Sequence, residues 1–217
     1  MSVVGEEKVD GNGNVRFLDV SLTMGGKVII DRANMPFVSG DVYVVYGPSG
    51  VGKTSLLNMI AGYLRPQSGV VDVRGTVGYL LQDDVLFSRL SALDNVVIAG
   101  GGHGVKNIDD VKRRARILLG DVGLGDKGDV LVEFLSGGER QRVRLACVLI
   151  EDPDIVLCDE PTTGVDVQRA HEILKLLKTM CAGKTLIVVT HDLLVKEVFS
   201  QSHVLQLGDG VLREETV

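Results

Sequence analysis

The sequence predicts an α/β fold with a mostly parallel central sheet, an N-terminal antiparallel β subdomain and an inserted α-helical subdomain. Alternating apolar and polar residues before position 82 indicate strands. Residues 83–150 show helical periodicity broken by glycine-rich stretches. In the last third, continuous apolar segments alternate with helical ones, which is typical of a parallel sheet covered on both faces. A chain of 217 residues is long enough for one such domain, predicted as 1–14 (a flexible N-terminus), 15–82, 83–150 and 151–217.

The individual elements follow from apolar runs and the turn residues between them. Segment 1–14 is polar and lacks an apolar core, so we expect neither a signal peptide nor a membrane anchor there. Gly25-Gly26 and a turn over 36–41 separate the first three strands. The predicted strands are 15–22, 27–30, 42–46, 70–73, 77–81, 155–158, 185–189, 203–207 and 211–213, and the predicted helices outside the middle region are 54–61, 167–180 and 193–199.

Directly after the strand 42–46, residues 47–54 fit the pattern G-x-x-x-x-G-K-[ST] in full. Glycines let successive backbone N–H groups converge on phosphate oxygens, Lys53 adds a charge toward the β and γ phosphates, and Thr54 offers a hydroxyl to Mg²⁺. The next helix presents its positive N-terminal end to the same anion. We therefore predict a nucleoside triphosphate site and a P-loop NTPase fold. The predicted binding residues here are Gly47, Pro48, Ser49, Gly50, Val51, Gly52, Lys53, Thr54 and Ser55.

A second candidate phosphate site begins the helix after residues 135–141, LSGGERQ. Ser136 with Glu139 three residues later forms a capping box, so a purely structural interpretation exists. However, Gly137-Gly138 at a helix start is costly unless the backbone approaches something closely, and the free N–H groups of a helix start bind anions. Two such sites in one chain predict a phosphate held from two sides.

Paired carboxylates follow the apolar strand 155–158. There Asp159 can hold Mg²⁺ and its water, while Glu160 faces an attacking water. Carboxylates at a strand end can also mean only solvent exposure. The complete phosphate loop on the same chain favours the catalytic interpretation.

Composition limits the partners. The chain has 23 basic and 29 acidic residues and a net charge of -6, which disfavours a nucleic-acid surface based on overall charge. One basic cluster, 112–116, is interpreted as a solvated helix face, with a partner surface or lipid headgroups as the alternatives. No stretch approaches the ~18 consecutive apolar residues of a membrane helix, so any membrane span must come from another chain.

Cysteine and histidine spacing predicts no metal or disulfide framework. The three cysteines, Cys147, Cys158 and Cys181, share no C-x-x-C spacing and lie in apolar segments, so we expect free thiols in a reducing compartment. His103, His171 and His203 share no metal-ligand spacing, and we assign no zinc site.

Taken in order, these motifs resemble those of ATP-binding cassette (ABC) proteins over 15–213. The resemblance rests on the loop 47–54, Gln82 after a strand, LSGGERQ at 135–141, Asp159-Glu160, the segment 161–166 and Thr190-His191-Asp192. It implies a head-to-tail pair of cassettes with two ATP molecules in the interface. Each ATP would be gripped by the phosphate loop of one protomer and by Ser136, Gly137, Gly138 and Glu139 of the other. Because this chain has one of each element, a second cassette is required, and we expect a homodimer.

The resemblance also implies residue roles. Gln82 would reach Mg²⁺ and the attacking water and transmit the state of the nucleotide, and His191 would contact the γ-phosphate. With Lys53 and Glu160 they form the expected catalytic set, and Thr54, Gln82 and Asp159 form the expected Mg²⁺ set. Asp166 would link the two active sites, although it can also cap the helix that starts near Val167.

One position departs from the family pattern. Most members have an aromatic residue that stacks on adenine before a glycine after the first strand, whereas this chain has Met24 before Gly25-Gly26. A thioether can pack on a purine but lacks the π surface that gives stacking its strength. We therefore predict weaker base discrimination.

The function expected from the resemblance is an ATP-binding and ATP-hydrolysing subunit of an ABC transporter. It would be cytoplasmic, held at the inner face of a membrane by a separate transmembrane subunit. Arg140 and the compact length resemble lipoprotein-release and macrolide-export cassettes. The alternative is a cassette that moves no solute and acts as a mechanical or regulatory module in cell division or iron–sulfur assembly. A GTPase or small-molecule kinase would not explain 135–141.

Overall fold

The computed structural model describes residues 13–82, 85–101, 107–192 and 194–215. The predicted terminal segment before residue 13, part of the glycine-rich break at 102–104, His103 and the predicted helix start at Leu193 lie outside the described residues. In these ranges the strands are β1 (Gly13–Met24), β2 (Lys27–Val38), β3 (Val42–Tyr46), β4 (Ser68–Val73), β5 (Val77–Leu80), β6 (Ile155–Asp159), β7 (Thr185–Thr190), β8 (His203–Gly208) and β9 (Val211–Glu214), and the α-helices are α1 (Lys53–Ile60), α2 (Ala92–Ala99), α3 (Ile108–Asp121), α4 (Gly137–Leu149), α5 (Val167–Met180) and α6 (Leu194–Val198).

The N-terminal sheet is antiparallel, as predicted, with strand order β2-β1-β4. Two predicted boundaries here were wrong. β1 begins at Gly13, and β2 continues to Val38 instead of ending at residue 30. The predicted turn over 36–41 therefore overlaps a strand in which Pro36 lies opposite Arg16. Since β2 is at the edge of this sheet, a proline without an N–H group is tolerated there.

The central sheet is mostly parallel, as predicted, with strand order β5-β6-β7-β3-β8-β9. Only the β8–β9 pair is antiparallel among the described pairs. Every residue of β6 and β7 is buried, which explains their uninterrupted apolar sequences. The carboxyl ends of parallel strands meet at one edge of the sheet. The segments that follow β3, β5, β6 and β7 therefore come together there.

Apolar layers cover both faces of the central sheet. Along β3, Tyr43 and Val45 lie in the layer shared with α1 and the antiparallel sheet, whereas Val44 and Tyr46 lie in the layer shared with the other helices. Burial of one aliphatic side chain contributes roughly 1.5–3 kcal/mol. These two layers hold the strand ends, and hence the loops that follow them, in fixed relative positions.

The middle of the chain is helical, as predicted. Helices α2, α3 and α4 pack against one another through buried residues such as Val96, Ala115 and Val143. The proposed division of the chain at residues 83 and 150 stays a prediction. Within the described ranges, no helix combines the length and the apolar character needed to cross a bilayer.

Candidate functional site

The loop between β3 and α1 has a shape that requires glycine. Gly52, the N-cap of α1, has φ 115°, and a Cβ atom there would lie 2.2 Å from Ile29 Cγ2. At Gly47 a Cβ atom would lie 2.5 Å from the carbonyl oxygen of Leu207. The β2 side chain and the β8 backbone thus leave no room for larger residues, and the loop is held close to the sheet.

Lys53 is buried at the centre of this loop, with a relative exposure of 6%. Its Nζ donates to the carbonyl oxygens of Gly47, at 2.9 Å, and Pro48, at 3.4 Å. It also lies 3.5 Å from Glu160 Oε1. The lysine charge is therefore fixed between the phosphate loop and the end of β6.

A cleft of about 510 Å³ opens beside Lys53 at the carboxyl edge of the central sheet. Its lining brings together most residues predicted from the sequence: Met24, Ser49, Gly50, Gly52, Lys53, Thr54, Ser55, Gln82, Asp159, Glu160 and His191. The remaining loop residues, Gly47, Pro48 and Val51, are not among the lining residues. Because Met24, Gln82, Glu160 and His191 are distant in sequence, their convergence is a property of the tertiary structure.

Three further residues line the cleft that sequence reasoning missed: Lys27, Ile29 and Thr163. Lys27 lies opposite Met24 in the β1–β2 hairpin, and its Nζ donates to the carbonyl oxygen of Gly50 at 3.1 Å. The Gly25-Gly26 turn was the available signal, since a tight hairpin places Lys27 beside Met24.

Asp159, the last residue of β6, suits a metal ligand. It is buried, with 4% exposure. Burial raises the pKa of its carboxyl, and a hydrogen bond with the Thr54 side chain opposes that rise. Its Oδ1 has no hydrogen-bond partner among the described residues. A buried carboxylate oxygen without a partner, beside a threonine hydroxyl, offers the hard oxygen ligands that Mg²⁺ prefers, so these residues fit the predicted ion.

Glu160 is held in an unusual backbone conformation. Its φ of 48° lies in the left-handed region, which is uncommon for a residue with a side chain. Its N–H donates to the carbonyl oxygen of Val189 at 2.9 Å. Its carboxylate accepts from Thr190 Oγ1 at 3.2 Å and lies 2.9 Å from His191 Nδ1. The end of β7 thus orients the carboxylate into the cleft.

The LSGGERQ turn lies elsewhere. Ser136 caps α4, and the predicted capping box with Glu139 is confirmed. Glu139 Oε2 accepts from the Ser136 N–H at 2.8 Å. The Lys127 ammonium bonded to Oε1, together with this N–H, lowers the pKa of Glu139 to about 2. Ser136 and Gly137 are exposed, and the lining of the Lys53 cleft does not include residues 136–139.

Of the two predicted roles of Asp166, the cap of α5 is confirmed, and the link between two active sites stays a prediction. Its carboxylate accepts from the Arg169 N–H at 3.0 Å and caps α5. It does not line the Lys53 cleft. Like the turn at Ser136, it is a predicted site residue that this protomer does not bring to its own cleft.

The structure combines a parallel sheet, a glycine-rich loop between a strand and a helix, a lysine inside that loop and a carboxylate at a nearby strand end. This combination defines a phosphate-loop NTPase. The family within this class follows from sequence comparison. A family model described as "ABC transporter" matches residues 30–163. The chain belongs to this family.

Similar proteins extend the match over most of the chain. ABC transporter ATP-binding protein YtrE of Bacillus subtilis (strain 168) is 32% identical over 226 residues, covering 92% of this chain and 96% of YtrE. Lipoprotein-releasing system ATP-binding protein LolD 1 of Rhodopirellula baltica is 34% identical over 203 residues, covering 85% of this chain and 87% of LolD 1. The ATP-binding cassette MJ0796, solved as a dimer with ADP and Pi, superimposes with a TM-score of 0.78 at 29% identity, covering 93% of this chain and 98% of MJ0796.

These findings make the chain an ATP-binding subunit of an ABC transporter, in a family of ATPases. The predicted P-loop NTPase fold and the predicted transport function are confirmed. The alternative, a cassette acting outside transport, is not favoured by these relatives.

Proposed function

We propose that this chain hydrolyses ATP to ADP and phosphate in a Mg²⁺-dependent reaction. We further propose that closure of two cassettes around ATP drives a separate transmembrane subunit. The observation that carries this proposal is a division of the predicted site. Lys53, Asp159 and Glu160 share one cleft, while the Ser136 turn lies outside it. In that cleft, one protomer supplies the contacts on one side of a nucleotide. A second cassette would supply the contacts on the other side.

Catalysis in this proposal is mostly positioning and charge neutralisation. Lys53 and the loop N–H groups bind phosphate oxygens in the fixed position that the loop imposes. Glu160 accepts a hydrogen bond from water and orients it, and His191 restrains the Glu160 carboxylate and contacts the γ-phosphate. Thr54, Asp159 and Gln82 would hold Mg²⁺, which supplies positive charge to the phosphate oxygens when bound.

The partner across the nucleotide is proposed to be a second copy of this chain. Ser136, Gly137, Gly138 and Glu139 of one protomer would face the nucleotide held by Lys53 of the other, and Asp166 would link the two sites. MJ0796, the solved relative, forms a dimer with ADP and Pi, which supports this arrangement.

The output of closure is proposed to be movement of a transmembrane subunit at the inner face of a membrane, with this chain peripheral on the cytoplasmic side. The similarity to LolD 1 supports a cassette of the lipoprotein-release and macrolide-export type. Purification of the tagged chain from detergent-solubilised membranes, followed by identification of co-purifying membrane proteins, tests this part directly.

The Glu160→Gln variant tests the catalytic assignment. Removing a general base typically lowers a rate by ~10² to 10⁴-fold. We expect that loss in the steady-state ATPase rate. Because ATP would still bind, we also expect ATP to convert the variant to a stable dimer, which light scattering after gel filtration would detect.

Glu197→Gln is the matched control, since Glu197 is an exposed glutamate on α6 outside the cleft. It should keep the normal rate and should not accumulate as an ATP dimer. A Glu160→Gln protein that hydrolyses ATP as fast as the control would refute the assignment.

A further inference from the structure

Besides the Ser136 turn at its start, helix α4 carries a pair of polar residues, Gln141 and Arg144. Gln141 and Arg144 lie three residues apart on this helix, and Arg144 Nη1 donates to Gln141 Oε1 at 2.7 Å. Residues at this spacing lie on one helix face. Together they form a polar pair on a helix that packs against β5.

Arg144 contacts the segment that leads into Gln82. Its Nη2 donates to the carbonyl oxygen of Leu81, the residue directly before Gln82. Gln82 lines the nucleotide cleft. Because a guanidinium donates charge-assisted hydrogen bonds in a fixed planar geometry, this contact sets the backbone position from which the Gln82 side chain enters the cleft.

Gln141 contacts the segment that follows Glu160. Its Nε2 donates to the carbonyl oxygen of Pro161 at 3.3 Å, and Pro161 directly follows Glu160. Leu81 and Pro161 come after β5 and β6, which are adjacent parallel strands. One arginine–glutamine pair therefore holds the backbone beside two cleft residues that the sequence separates widely.

We propose that Arg144 is a positioning residue that sets Gln82 relative to Glu160. It acts through Leu81 on one side and through Gln141 and Pro161 on the other. Because Ser136 caps the same helix, a shift of the helix moves this network as well. This proposal rests on the proposed function, since it assigns Arg144 to the geometry of the same hydrolytic site. The guanidinium bonds a backbone carbonyl next to the site and a side chain, so we do not class it as catalytic.

The first test is the Arg144→Ala variant. Misplacing a catalytic group by about 1 Å can cost ~10²-fold in rate, so we expect kcat for ATP to fall by about 10- to 100-fold. The KM should change far less, because the phosphate loop that binds ATP is untouched. Arg144→Lys, which keeps the charge but loses the planar fork, should recover part of kcat.

Lys184→Ala is the matched control. Lys184 also donates to one carbonyl oxygen, that of Pro153 at 2.9 Å, and to one side chain, Asp152 Oδ1 at 2.6 Å. It lies just before β7, at the opposite end of the sheet from the cleft. We expect Lys184→Ala to leave kcat unchanged even if it lowers the melting temperature as much as Arg144→Ala does.

A double-mutant cycle with Gln82→Ala separates positioning from a general structural effect. If Arg144 acts through Gln82, Arg144→Ala should add little to the loss already caused by Gln82→Ala. Full additivity of the two losses would overturn the proposal, and so would a normal kcat for Arg144→Ala.

If Arg144→Ala does not fold, the Gln141→Glu variant provides the test of the proposal. This variant keeps an acceptor for Arg144 and removes the donor to Pro161. It should lower kcat without raising KM, and an unchanged kcat would overturn the proposal. A normal rate for Glu160→Gln would instead refute the proposed function, so the two failures are distinguishable.

Discussion

Met24 lies at the cleft in the position where the family pattern has an aromatic residue. It ends β1 with 48% of its surface exposed, and Ser55 Oγ lies 3.5 Å from its sulfur. The flexible thioether packs against flat rings by dispersion but offers no aromatic face. Because Met24 replaces the expected aromatic residue in this protomer, we expect recognition of the base to be weak.

This residue yields a prediction about nucleotide preference. Base–aromatic stacking is worth ~1–3 kcal/mol per base in nucleic-acid sites, a factor of roughly 5 to 150 in affinity. We expect the natural chain to bind ATP and GTP with similar affinity. Met24→Tyr should tighten the binding of both purine nucleotides, as measured by competition with a fluorescent ATP analogue.

The control for this prediction is Leu18→Tyr. Leu18 is an exposed residue on the same strand that does not line the cleft, so an aromatic ring there should leave both affinities unchanged. A strong preference of the natural chain for ATP would contradict the prediction.

His203, the first residue of β8, joins three parts of the chain at the opposite edge of the central sheet. Its ring stacks on Tyr43 of β3 with centroids 4.6 Å apart. Its Nδ1 lies 2.6 Å from Glu214 Oε1 of β9, and its Nε2 lies 3.3 Å from Asp41 Oδ2. Glu214 above all, and then Asp41, raise the pKa of His203 against the opposing effect of burial.

The sign of the resulting pH dependence follows from linkage. When folding raises the pKa of a histidine, the protonated ring stabilises the folded state. This stabilisation is complete below the pKa of the unfolded state, ~6.5, and is lost as the pH rises through the pKa of the folded state. We therefore expect His203→Gln to lower the melting temperature more at about pH 5.5 than at about pH 9. Because the ion pairs are partly exposed, the effect should stay near ~1 kcal/mol or less.

Thermal melts of both proteins across this pH range provide the measurement. The neighbouring Tyr43 has a raised pKa owing mainly to burial, so it should not titrate in this window. Equal differences in melting temperature at the two ends of the range would exclude the proposed role of His203.

The fold divides the predicted site residues between two parts of the surface. The cleft at the carboxyl edge contains Lys53, and the Ser136 turn is presented on a different part of the surface. In a head-to-tail pair, each nucleotide would use Lys53 of one protomer and Ser136 of the other. Activity should therefore depend on which protomer carries which residue.

Mixing two inactive variants tests this arrangement. Homodimers of Lys53→Ala or of Ser136→Ala have no intact site, but a mixed dimer has one. With random exchange of protomers, we expect about one quarter of the natural ATPase rate from an equal mixture. The measurement is the ATPase rate after the two proteins are combined.

A mixture of Lys53→Ala with the double variant Lys53→Ala/Ser136→Ala serves as the control, because none of its dimers has an intact site. The first mixture should exceed this control clearly. If both mixtures give only the sum of their components, the shared-site arrangement is wrong.

Features that depend on neighbouring residues could be predicted from the sequence alone. The loop 47–54, the capping box at Ser136 and the helix start at Asp166 are local, because their glycines, hydroxyls and carboxylates act on N–H groups a few residues away. The continuous apolar strands determined a parallel sheet, because both faces had to be buried. The family resemblance then supplied the expected partners of Lys53.

Contacts between distant segments could be established only from the folded chain. The strand order β5-β6-β7-β3 brings Gln82, Asp159 and His191 to one edge, and no local pattern encodes that order. Likewise, Lys27 joins the loop and Arg144 reaches Leu81 through packing between distant segments. Local hydrogen bonds select turns and caps, whereas burial of both sheet faces selects which strands become neighbours.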